Sequence, residues 1–94
     1  MYDYTTERPF VFTEEGVTML LKARDVVNKL IAFSGAFQEQ NVHSQLSGDS
    51  WHMLACIDYL VERGEIRRLN NGNGDKTPNQ FHTPRQFHVY VANV

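Results

Sequence analysis

A chain of 94 residues with 41% hydrophobic and 21% charged residues is long enough for one hydrophobic core and too apolar to stay disordered. Its formal net charge of -2 and pI near 6.0 run against the basic excess of a dedicated nucleic-acid binder, although a local basic patch overrides a net value. No apolar run reaches the roughly 20 residues that cross a bilayer, no basic stretch with an apolar core opens the chain as a secretion signal would, and the single cysteine, Cys56, has no internal partner, which together point to a reducing cytoplasm.

Residues 1–12 (MYDYTTERPFVF) lack a helical period and contain Pro9, so they read as an extended N-terminal arm ending in an apolar patch at Phe10, Val11 and Phe12. Thr13 suits a helix N-cap, and the carboxylates of Glu14 and Glu15 suit the positive end of the helix dipole that follows. Val17, Leu20, Leu21, Val27, Leu30 and Ile31 then recur at three- and four-residue spacing, which predicts a first helix to about Phe33, stopped by Ser34-Gly35. Ala36-Phe37 is a short bridge. Gln38 to Leu46 is a second helix candidate, with Val42 and Leu46 on one side, broken by Ser47-Gly48-Asp49. Asp49 or Ser50 caps a third helix, whose apolar stripe is Met53, Cys56, Ile57, Leu60 and Val61 and whose end is Gly64.

Beyond Gly64 the pattern turns to strands. Glu65 to Leu69 reads as a short strand, and residues 70–80 (NNGNGDKTPNQ) as a loop. Phe87, Val89 and Val91 alternate with His88 and Tyr90, the period of a strand whose valines face inward. Two strands joined by that loop predict an antiparallel hairpin. No repeat or linker divides residues 13–94, which read as a single domain of α+β class, mainly α.

Helix, short break, helix and glycine is the layout of a helix-turn-helix. Leu46-Ser47, Met53, Ile57 and Leu60, followed by Val61-Glu62-Arg63-Gly64-Glu65-Ile66-Arg67-Arg68, resembles the core of the winged helix-turn-helix superfamily, with Leu60, Gly64 and Ile66 matching its helix-to-wing ending. The resemblance implies three helices followed by a two-stranded wing, and double-stranded DNA as partner, with the third helix in the major groove. It puts Ser50, Trp51, Ala55 and Asp58 toward the groove, with His52 at the margin and Tyr59 beside them. It assigns wing and backbone contacts to Arg67, Arg68, Lys76, Thr77, Asn79 and Arg85. The chain's compactness is similar to that of small bacterial or phage transcriptional regulators.

The residue chemistry divides between two roles. Opposite the buried stripe of the third helix lie Trp51, Ala55, Asp58, Tyr59 and Glu62, where DNA binders of the family place hydrogen-bond donors. Two carboxylates there meet phosphate with the wrong sign, and an acidic, aromatic face suits a protein partner instead. Trp51 itself has three readings: an extension of the core, an anchor in a protein interface, or an aromatic ring for stacking on bases. The last third of the chain, by contrast, carries Arg63, Arg67, Arg68, Lys76 and Arg85, five of its nine basic residues. That concentration suits a nucleic-acid backbone, and the same segment is also what an ordinary solvated hairpin would contain. DNA is the expected partner and a protein-interaction module the alternative, in either case with the possibility of a homodimer. His43, His52, His82 and His88 have no metal-ligand spacing, and Gly72-Asn73-Gly74 lacks the strand and helix that flank a phosphate loop, so neither an enzyme nor a cofactor or metal is expected.

Overall fold

The computed structural model describes residues 1–69 and 84–93. In chain order these form a short helix α1 (Tyr4–Glu7), a 3-10 turn (Arg8–Phe12), the long helix α2 (Glu14–Ser34), strand β1 (Ala36–Gln38), helix α3 (Glu39–His43), helix α4 (Ser50–Glu62), strand β2 (Ile66–Arg68), a second 3-10 turn (Arg85–Phe87) and strand β3 (Val89–Ala92). The class is α+β and mainly helical, with one antiparallel sheet in the order β1-β3-β2 among the described residues. The wing residues Lys76, Thr77 and Asn79, and the loop expected over residues 70–80, lie outside the described residues. None of the described helices is long and apolar enough to cross a membrane.

The helix ends follow the residues that cap them. Thr13 has extended backbone, and its Oγ1 accepts the Gly16 N–H at 3.0 Å, satisfying one of the amides the first turn of α2 leaves open. Gly35 closes α2 in the left-handed region at φ 79°, its N–H donating to the Ile31 carbonyl at 2.7 Å. Asp49 caps α4, accepting from the amides of Trp51 and His52 at 2.8 and 3.3 Å. The buried stripe of α2 is Gly16, Leu20, Ala23 and Val27, narrower than the apolar periodicity implies; Val17 and Leu21 flank it and are exposed. On α4, Met53, Cys56, Ile57 and Leu60 are buried as expected, whereas Val61 is exposed.

Three expectations are corrected. The first twelve residues are not an extended arm. Asp3 caps α1 through bonds from the Thr5 amide and the Thr6 hydroxyl at 3.1 and 3.0 Å, and Pro9 opens the 3-10 turn, where a missing N–H costs nothing. Val11 in that turn is 1% exposed, so the segment contributes to the core. Second, the strands expected as a two-stranded hairpin belong to a three-stranded sheet. Gly35 turns the chain so that β1 pairs with β3, aligning Phe37 with Tyr90, whose rings stack with centroids 5.5 Å apart. Third, β3 presents Tyr90 inward rather than its valines. Val89 and Val91 are half-buried and Phe87 is exposed in the preceding turn.

The core gathers Val11, Leu20, Ala23, Val27, Phe37, Val42, Cys56, Ile57, Leu60 and Ile66 between α2, α4 and the sheet. Burial pushes the Cys56 thiol up to about 11, so it stays protonated and apolar there. Gly16 is where the N-terminal turn meets α2 most closely. A Cβ on it would lie 1.7 Å from the Phe10 carbonyl oxygen and 2.9 Å from the Val11 Cα, both backbone atoms. We therefore expect Gly16→Ala to cost about 1–3 kcal/mol through overpacking. Urea unfolding checks this, and a midpoint unchanged from the parent would show that the turn does not sit against α2.

Candidate functional site

The face of α4 turned away from α2 is where the sequence places its candidate residues. Asp58 and Glu62 lie one helical turn apart on it, with Trp51, Ala55 and Tyr59 around them. Residues 2–12 pack over this face. The Tyr2 hydroxyl donates to Asp58 Oδ2 at 2.7 Å, and the Tyr4 hydroxyl donates to Glu62 Oε1 at 2.7 Å. Arg8 forks onto both oxygens of Glu62 at 2.8 and 2.7 Å, the bidentate geometry that guanidinium and carboxylate favour. Aromatic contacts run alongside: Phe10 stacks on His52 with centroids 3.6 Å apart, Phe12 meets Tyr59 edge-on at 5.4 Å, and Tyr2 meets Trp51 edge-on at 6.2 Å.

Beneath Tyr2 lies a second cluster. Glu39, the first residue of α3, is 2% exposed. Arg85 Nε donates to it at 2.8 Å, and the other end of the guanidinium donates to both oxygens of Asp58. Tyr90 adds a longer bond to Glu39 at 3.4 Å, and the Arg85 guanidinium faces the Tyr2 ring with 5.4 Å to its centroid. Burial pushes the Glu39 carboxyl above its usual range, against the pull of Arg85. His43 approaches Glu39 at 4.0 Å, with its buried Nε2 unbonded, and burial together with Arg85 lowers its pKa.

The expected site residues therefore separate. Ser50 is exposed and Trp51 is 41% exposed, so the first turn of α4 remains open. His52 is half-buried under Phe10. Ala55, expected to face a groove, is 0% exposed and belongs to the core cluster. Asp58 and Tyr59 are half-buried and engaged by that segment. Arg67 and Arg68 are exposed on β2, the edge strand of the sheet. Arg85, expected on the wing surface, is instead the cation of the buried cluster, because Glu39 and Asp58 both need it. Glu39 and Arg8 escaped the sequence reading, and Tyr2 and Tyr4, which it offers only as part of an arm that closes over its own core or pairs with another subunit, were not among its site residues. Nothing local distinguishes Glu39 from its glutamine neighbours, while the one base in an otherwise aromatic and acidic arm was the available signal for Arg8.

Among the described residues, no group of three or more histidine, cysteine or carboxylate side chains is placed to hold a metal ion. An open groove of about 1040 Å³ runs between the first turns of α2 and the connection from α3 to α4, with His52 and Phe10 on its wall. In comparisons with known proteins, no family model, no curated protein and no solved structure matched the chain.

Two expectations follow from these pairs. Arg85→Ala leaves Glu39 buried without its cation, for which the loss in a fully buried pair is about 3–5 kcal/mol; Arg85 is a third exposed, so the lower end of that range is expected. Thermal unfolding checks it, with Glu39→Gln/Arg85→Gln as the variant that should recover part of the loss. The second concerns pH. Hydrogen bonds from Arg8 and then Tyr4 hold the Glu62 carboxyl down at about 2, so the docked segment gains from Glu62 above the ordinary value of 4.5 and loses that gain as pH falls toward 2. Carboxyl chemical shifts should give Glu62 a midpoint near 2 in the parent and near 4.5 in Arg8→Ala/Tyr4→Phe. Equal midpoints would mean that the segment does not dock on α4.

Proposed function

We propose that the chain is a winged helix-turn-helix domain that binds double-stranded DNA, a small regulator of bacterial or phage type acting in the cytoplasm without a cofactor. The order of elements supports the fold assignment: α2, α3 and α4 are followed by β2 and β3, which pair through β3 as a C-terminal hairpin, with β1 added at the far edge. The observation that carries the DNA reading is the state of the two carboxylates on α4. Asp58 is paired with Arg85, which it shares with Glu39, and Glu62 is paired with Arg8, while Ser50 and Trp51 stay exposed in the first turn, the part of a recognition helix that reaches base edges. Arg67 on the edge strand then lies on the backbone side.

Fluorescence anisotropy with random-sequence duplex, at low and at moderate salt, tests this. We expect micromolar affinity that falls steeply with salt, weakened by Arg67→Ala with a salt slope smaller by about one. Absence of binding at low salt would overturn the reading.

A second reading, a protein-interaction module working through α4, is favoured by one specific observation. The helix face is already covered by a polypeptide segment whose donors match its carboxylates.

A further inference from the structure

The docked N-terminal segment divides into two parts that are held differently. Phe10 to Thr13 are tied to α2 as well as to α4: the Phe10 carbonyl accepts both the amide and the hydroxyl of Thr13, and the same carbonyl lies against Gly16, while the Phe10 and Phe12 rings rest on His52 and Tyr59. Residues 2–8 are tied to α4. Tyr2, Tyr4 and Arg8 place two phenols and a guanidinium on Asp58 and Glu62, and Tyr2 meets Trp51. The boundary falls at Arg8-Pro9. Contacts with α4 hold residues 2–8 folded back on the chain.

We propose that the outer face of α4 is a docking seat whose partner is residues 2–8 of a second copy of the chain, exchanged reciprocally between two protomers. This takes up the protein-interaction reading above and names the partner. Exchange keeps every contact of the segment and changes only which chain makes it. The balance is then set by protein concentration against the effective concentration of the segment in its own chain. The seat fits this occupant and no anion: uncovered, it presents Asp58 and Glu62, acceptors that need donors. Arg8 and Glu62 are both about two-fifths exposed, so their charges can be reversed without entering the core.

Charge reversal in separate chains tests the exchange. Arg8→Glu sets two carboxylates against each other within one chain, and Glu62→Arg sets two guanidinium groups against each other. Mixed, the variants restore opposite charges only between chains. We expect each variant alone to be monomeric in light scattering, and the equimolar mixture to form a heterodimer with an association constant at least about tenfold above either alone. Arg8→Glu/Glu62→Arg in one chain should behave as the parent. A mixture that stays monomeric at high micromolar concentration, with both variants folded by circular dichroism, overturns the exchange. A labelled peptide of residues 1–9, titrated against full-length Tyr2→Phe/Tyr4→Phe/Arg8→Gln, needs no charge reversal and carries the test if either variant misfolds; micromolar binding supports the seat. A monomeric mixture with peptide binding removes the exchange alone, whereas failure of the peptide as well removes α4 docking with it.

Discussion

A carboxylate taken almost wholly out of water organises this molecule. Glu39 is 2% exposed, and an ion buried to that degree costs several kcal/mol unless it is paired with good geometry. Arg85 supplies the pair, and because its guanidinium has donors to spare it also engages Asp58 on α4. One side chain thus ties together α3, the turn that leads into β3, and the middle of α4. The Glu39 amide donates to the His88 carbonyl at 3.1 Å, which extends the β1–β3 ladder to the buried carboxylate. Where β3 enters the sheet is fixed from both sides, and the register of Phe37 on Tyr90 follows.

That constraint shapes the outer face of α4 as well. Asp58 is held from below by Arg85, which leaves Oδ2 positioned to accept the Tyr2 hydroxyl from above. Glu62, one turn further along, is paired among the described residues with Arg8. The aromatic rings of the N-terminal segment fill the spaces between these polar contacts, against Trp51, His52 and Tyr59.

Local chemistry made most of the helices legible. Thr13, Gly35 and Asp49 act at their own positions, through caps and a left-handed turn that need no distant partner. The alternation in β3 was also visible, but its phase was not. Valine and tyrosine both have apolar bodies, so period two alone does not say which set faces inward, and here a hydroxyl that reaches Glu39 tips the choice to Tyr90. The third strand was hidden because three residues, Ala36–Gln38, are too few to carry a pattern and form a strand only once β3 lies beside them. The α4 face was recognised as unusual, and its residues named, yet the ion pairs and the tyrosine hydrogen bond over it span 27, 54 and 56 positions in sequence, beyond the reach of any local pattern. Arg85 was read as a surface cation for the same reason: its partners come from elsewhere in the chain.

The acidic balance of the chain also takes on a different meaning once the charges are placed. Glu39, Asp58, Glu62 and Glu65 are all engaged by arginines, namely Arg85, Arg8, Arg24 and Arg63, so these four carboxylates are paired with the protein's own cations. On α4, the segment that covers the helix is also the one that neutralises Glu62. Covering and neutralising are a single event, so in the proposed DNA reading the first turn of α4 meets an anionic ligand under the best electrostatic terms while residues 2–8 are docked. Exchange between two chains preserves that docked state on each protomer. The two proposed readings are then compatible, because a pair related by reciprocal exchange carries a two-fold axis and two equivalent α4 turns, the symmetry with which helix-turn-helix dimers meet paired half-sites.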